Sequence, residues 1–90
     1  MYYVYLIKST NKNWFYVGLT SYLEQRIKAH NEKRNRSTKG FSPFKLIFVQ
    51  LFEDRISARD FEKFLKIRSN KELLLDLIEP RWRNWQTRRI

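Results

Sequence analysis

A chain of ninety residues with no cysteine has to hold itself together by packing alone. Disulfides, thiolate zinc sites and cysteine nucleophiles are excluded at once. A chain this short buries only about 60–65% of its extended surface, so its core must be compact and aromatic-rich. Seven Phe, five Tyr and three Trp meet that need, and a hydrophobic content of 42% places the chain outside the disordered class. One domain over residues 1–85 is expected, with residues 86–90 as a frayed tail.

Charge narrows the choice of partner. Nineteen Lys+Arg stand against nine Asp+Glu, for a net charge of +10. A surplus of this size favours a polyanion, chiefly by releasing its condensed counterions. The start, Met1-Tyr2-Tyr3-Val4-Tyr5-Leu6-Ile7, is apolar but too short for a leader or a membrane span, and Lys8 ends it. No segment forms a basic amphipathic helix with one continuous apolar face. A cytoplasmic protein with no membrane partner is the expectation.

Hydrophobic patterning lays out the elements. Tyr2 to Ile7 is rich in β-formers and reads as a strand. Ser9 to Asn13 is a turn cluster, and Trp14 to Leu19 returns as a second strand. Folding about Thr10-Asn11 sets Tyr5 opposite Tyr16 on one sheet face; a slip of one residue would separate them. Ser21-Tyr22-Leu23-Glu24 is a capping box opening a helix on which Leu23, Arg26, Ile27 and His30 share a side. A polar basic loop follows to Gly40. Phe44 to Phe52, almost wholly apolar, reads as a third strand, central and covered on both faces. Ser57-Ala58-Arg59-Asp60 caps a second helix with Phe61, Phe64, Leu65 and Arg68 along its stripe and Glu62 at the edge. Lys71 to Ile78 forms a third, stopped by Pro80. The order β-β-α-β-α-α gives an α/β domain, a small three-stranded antiparallel sheet flanked by helices.

Taken singly, the chemical side chains have ordinary readings. Tyr5 and Tyr16 suit a packed sheet, Arg26 a solvated helix face, and His30 a helix end favoured by the dipole. Glu62 could pair with Lys66 one turn on, and Gly18 could permit close packing or a bulge. Together, two phenols, an arginine, a histidine and a carboxylate are the set that handles a phosphodiester around one divalent cation.

Tyr3-Val4-Tyr5 and, ten residues on, Tyr16-Val17-Gly18 resemble the paired signature of the GIY-YIG nuclease family. Thr20, Leu23, Arg26, His30, Asn31 and the Ser42 to Leu46 stretch continue the likeness, and Ala58 to Lys66 resembles the family's Ala-x-x-x-Glu-x-x-Leu-Lys helix. The resemblance runs from Tyr2 to Arg83 and points to the short stand-alone bacterial members. It implies a phosphodiesterase using one Mg²⁺ or Mn²⁺. Tyr16 matches the general base, Tyr5 the tyrosine that orients water or phosphate, and Arg26 the arginine that neutralises phosphoryl charge. His30 matches a residue assisting the nucleophile, and Glu62 the sole protein metal ligand. Tyr3 stands where the family name has glycine, and Val17 replaces isoleucine. The family's catalytic asparagine has no clear counterpart, although Asn70 lies in the same region.

A lone carboxylate suits an ion that keeps several waters and is recruited with substrate, so weak metal binding is expected in the free protein. Lys28, Lys33, Arg34, Arg36 and Lys39 form a basic arm beside His30, and Arg59 and Lys66 add charge on the second helix. Lys28, Arg34, Arg36, Lys39, Arg59 and Lys66 are therefore the candidate nucleic-acid contacts, with DNA ahead of RNA as substrate. The alternatives are a nucleic-acid-binding module of the same fold with little turnover, or a basic protein docking acidic partners. Trp82 and Trp85 are expected to anchor the tail on the domain.

Overall fold

Val4, Tyr5, Leu6 and Ile7 are each no more than 2% exposed, so four consecutive residues are covered on both faces. They belong to β1 (Tyr2–Ser9) of a computed structural model that describes residues 1–34, 36 and 38–82. β1 is the middle of an antiparallel sheet ordered β2-β1-β3, with β2 (Phe15–Thr20) and β3 (Phe44–Phe52) at its sides. The expected central position of β3 is therefore wrong. A continuous apolar run signals two-sided burial, and both strands carry one. The sheet order gives full cover only to β1, leaving Leu46, Val49 and Leu51 of β3 exposed.

Alternation divides the core in two. Val4, Leu6 and Val17 pack against Ala58 and Leu65 of α2 (Arg55–Lys66) and Leu75 of α3 (Arg68–Ile78). Trp82 closes this side as expected, its indole N–H donating to the Asp76 carboxylate at 2.9 Å. Trp85 and residues 86–90 lie outside the described residues. On the opposite face Tyr5, Ile7 and Phe44 meet Leu23 and Ile27 of α1 (Leu23–Asn31), with Trp14, Tyr16 and Phe41 alongside. The Trp14 and Phe41 rings stack at 3.9 Å, tying the hairpin turn to a short 3-10 turn (Lys39–Phe41) ahead of β3.

The hairpin register differs from expectation by two residues. Tyr5 pairs with Gly18, and Ile7 pairs with Tyr16. The Ser9 hydroxyl accepts from the amides of Asn11 and Lys12 at 3.2 and 3.1 Å, and the Ser9 amide donates to Trp14 O at 2.9 Å. That side chain moves the turn's centre from Thr10-Asn11 to Asn11-Lys12. Because the shift is even, Tyr5 and Tyr16 still share a face.

Helix starts were the least legible boundaries. The Ser21 capping box does not form: α1 has Tyr22 at its N-cap with no side-chain cap, and the Thr20 hydroxyl accepts from the Tyr22 amide at 3.0 Å. α2 begins earlier than the Ser57 reading, with Asp54 at the N-cap accepting from the Ser57 amide at 2.7 Å. An aspartate carboxylate is a favoured N-cap acceptor, so it outcompetes the serine three positions on. α3 likewise starts at Arg68 rather than Lys71. The Asn70 amide donates to Phe64 O at 3.0 Å, closing the C-terminal end of α2.

Candidate active site

Strand alternation sends Tyr5, Tyr16 and Gly18 toward α1. There the Tyr5 ring lies across Gly18, and a Cβ at that position would overlap the ring and hydroxyl of Tyr5. The ring centroids of Tyr5 and Tyr16 are 6.4 Å apart, and His30 stands 5.9 Å from Tyr5 and 5.2 Å from Tyr16. The Tyr5 Oη lies 2.9 Å from His30 Nε2, and His30 Nδ1 lies 2.8 Å from Thr38 Oγ1. A strand, its hairpin partner, a helix and the loop after it thus converge on one cluster.

Charge within the cluster follows from burial. The Tyr5 phenol is pushed well above the usual tyrosine range, first by burial, then by Tyr16; Arg26 opposes this and Glu62 adds to it. Tyr5 is a neutral phenol at physiological pH. His30 is shifted below the usual imidazole range by burial, with the Arg26 guanidinium acting in the same sense. Arg26 is exposed on α1, so a solvent-facing cation acts on two inner side chains. It lines an open cleft of about 240 Å³ with Thr20, Tyr22, Gln25 and Ala29. A larger cleft of about 500 Å³ between α1 and β3, around Leu23, Ile27 and Leu46, is apolar and contains none of the cluster.

The lowered His30 pKa makes stability depend on pH in a definite sense. The unfolded histidine titrates near 6.5, whereas the native one resists protonation. Below about pH 6.5 the unfolded state therefore binds a proton that the native state refuses, and stability falls on acidification. Thermal melts from pH 7.5 to 5 should show a declining Tm, with a flatter profile in His30→Gln. A Tm that rises on acidification would contradict the assignment.

Glu62 stands on α2, with Lys66 Nζ at 3.1 Å from one carboxylate oxygen and Arg59 Nε at 4.0 Å from the other. The carboxylate is mostly buried, its side chain 12% exposed, rather than at the stripe's edge. Among the described residues no group of three or more His, Cys, Asp or Glu could hold a metal ion. One hard-oxygen donor neutralised by two cations does not make a closed cage, but it fits a Mg²⁺-like ion that keeps its waters and shares a substrate phosphate.

The remaining basic candidates divide into three groups. Arg59 and Lys66 gather at Glu62, whereas Lys28 and Arg34 both face Glu32, at 3.9 and 2.8 Å. Arg36 and Lys39 are exposed in the loop that Thr38 ties to His30. Sequence reasoning missed Thr38 altogether; one hydroxyl in a polar loop carries no periodic signal. Asn31, part of the motif, accepts from the Phe44 amide and clamps α1 to the start of β3.

Tyr5, Tyr16 and His30 meet in one cluster, while Arg26 on α1 and Glu62 on α2 act on Tyr5 through their charge. The GIY-YIG catalytic domain matches residues 1–74, so the chain belongs to the GIY-YIG nuclease family. Nucleases of this family act on nucleic acid and generally depend on a divalent metal. The chain is similar to a UPF0213 protein of Clostridium perfringens, with 38% identity over 83% of this chain and 82% of the relative. A UPF0213 protein of Bacillus subtilis is 35% identical over 80% of this chain and 75% of the relative. In three dimensions it resembles the solution NMR structure of a UPF0213 protein from Bacillus halodurans, at a TM-score of 0.54 and 31% identity, covering 86% of this chain and 85% of that one. No described helix is long and apolar enough to cross a membrane.

Proposed function

We propose that this protein is a metal-dependent endonuclease hydrolysing phosphodiester bonds in DNA, with RNA the lesser alternative, and that it works in the cytoplasm. The carrying observation is the grouping of two phenols and an imidazole from three elements, with one guanidinium acting on two of them. Hydrolysis needs an in-line water, a proton acceptor and positive charge on the non-bridging oxygens. Tyr16 is the half-buried phenol, open enough to meet water, and serves as general base. A free tyrosine, with pKa about 10, is a poor base at pH 7 and needs a cation beside it. Tyr5, protonated and held by His30, orients rather than ionises. Arg26 faces the charge that develops on the phosphoryl group.

Glu62 is the residue that would hold Mg²⁺ or Mn²⁺, which when bound supplies positive charge to the phosphoryl oxygens. Lys28, Arg34, Arg36, Lys39, Arg59 and Lys66 contact backbone phosphates, positioning substrate without reading its sequence. The weaker-turnover reading, a binding module of the same fold, draws on two observations. Both Glu62 oxygens face cations, and the Asn70 amide is engaged by Phe64 O.

Nicking of plasmid and structured DNA with each metal tests the proposal. Tyr16→Phe should lower the rate on the order of 10²–10⁴-fold, and undiminished cleavage in that variant would strip Tyr16 of its role. Wild-type protein that binds DNA with steep salt dependence, yet cuts no substrate with any metal, would leave the binding module as the better reading.

A further inference from the structure

We propose that Thr38 is a positioning residue that holds His30 in the tautomer protonated on Nδ1, leaving Nε2 as the acceptor for the Tyr5 phenol. Its consequence for cleavage rests on the nuclease reading; the tautomer itself is a property of the protein alone.

Tyr5, His30 and Thr38 are all at most 2% exposed, and their polar atoms form one line, Thr38 Oγ1 to Nδ1 at 2.8 Å and Nε2 to Tyr5 Oη at 2.9 Å. A neutral imidazole has one N–H and one bare nitrogen, so the line runs in one of two directions. In the first, the phenol donates to Nε2 and Nδ1–H donates to Thr38. In the second, Thr38 donates to Nδ1 and Nε2–H donates to the phenol oxygen. A phenol is far more acidic than an alcohol, and a bare imidazole nitrogen is a far better acceptor than a phenol oxygen. The first direction joins the best donor to the best acceptor. The second gives the imidazole N–H the poorest acceptor available.

Isolated imidazoles of histidine favour the proton on Nε2, so the first direction needs a partner for Nδ1–H. Thr38 supplies it. The hydrogen bond at one ring nitrogen sets which nitrogen carries the proton. With its proton committed to Nε2, Tyr5 presents only lone pairs toward the site. It can therefore receive an O–H from water but cannot donate to a phosphate oxygen. That assigns Tyr5 to the water.

The chain has a single histidine, so ¹⁵N-labelled full-length protein gives one imidazole to read. Long-range ¹H–¹⁵N spectra at neutral pH should show Nδ1 protonated and Nε2 bare in the wild type and in Thr38→Ser. Thr38→Val keeps the shape but removes the acceptor, and a buried unpaired N–H is costly; the proton should move to Nε2. Cleavage by Thr38→Val should fall on the order of tenfold, as for loss of other orienting partners, with Thr38→Ser close to wild type. Wild-type protein carrying Nε2–H, or Thr38→Val retaining Nδ1–H, would overturn the assignment. The expected tautomers without cleavage in any protein would overturn the nuclease reading and leave Thr38's role standing.

Discussion

Alanine at Gly18 is expected to dismantle the site from beneath. The added methyl would occupy the space of the Tyr5 ring and hydroxyl. Tyr5 is 2% exposed on the central strand and has nowhere to retreat within a packed core. Overpacking of this kind costs about 1–3 kcal/mol, sometimes more. In a domain of this size each kcal/mol lowers Tm by roughly 4–8 °C. Any Tyr5 displacement also breaks its 2.9 Å bond to His30, so activity should fall further than stability. Gly40 is the control: a Cβ there meets nothing within 4 Å, and Gly40→Ala should melt like wild type. Equal melting of the two alanine variants would show that Tyr5 does not lie over Gly18.

Glutamine at Glu62 is expected to separate activity from folding. The carboxylate's partners, Lys66 and Arg59, are more than half exposed, and ion pairs with exposed partners contribute about 0–1 kcal/mol. Glutamine keeps the size and the hydrogen-bonding oxygen, so stability should change by no more than about 1 kcal/mol. Metal-dependent cleavage should nevertheless drop on the order of 10²–10³-fold or more, the scale of losing a transition-state electrostatic contact. Lys66 and Arg59 also compete with any cation for the carboxylate. Calorimetric titration of the free protein with Mg²⁺ should therefore show only weak binding, strengthened when uncleaved nucleic acid supplies phosphate oxygens. Tight Mg²⁺ binding by the free protein, or full cleavage by Glu62→Gln, would remove Glu62 from the metal site.

The facing of Tyr5, Tyr16 and His30 was legible because spacing fixes which side of an element a residue occupies. Tyr5 and Tyr16 share a face under either register, since the strand period is two and the discrepancy was even. His30 followed Leu23 and Ile27 onto the packed side of α1 by helical periodicity. Helix starts were misread for a local reason. Asp54 and Ser57 are both favoured caps, and the choice went to the carboxylate, whose bonds to the Ser57 amide and hydroxyl only coordinates reveal.

What the order of residues determined by itself was composition, charge, element order and the faces that Tyr5, Tyr16 and His30 would occupy, because these follow from periods and propensities within a few residues. Tertiary structure alone decided the rest. The Ser9 hydroxyl chose the turn centre, and β1 rather than β3 took the covered middle position. Thr38 reached His30 across a loop. Each of these depends on atoms meeting across a gap that no repeat in the chain encodes: alternation sets facing, whereas offset, neighbour and partner are set by which hydrogen bonds the folded chain can satisfy together.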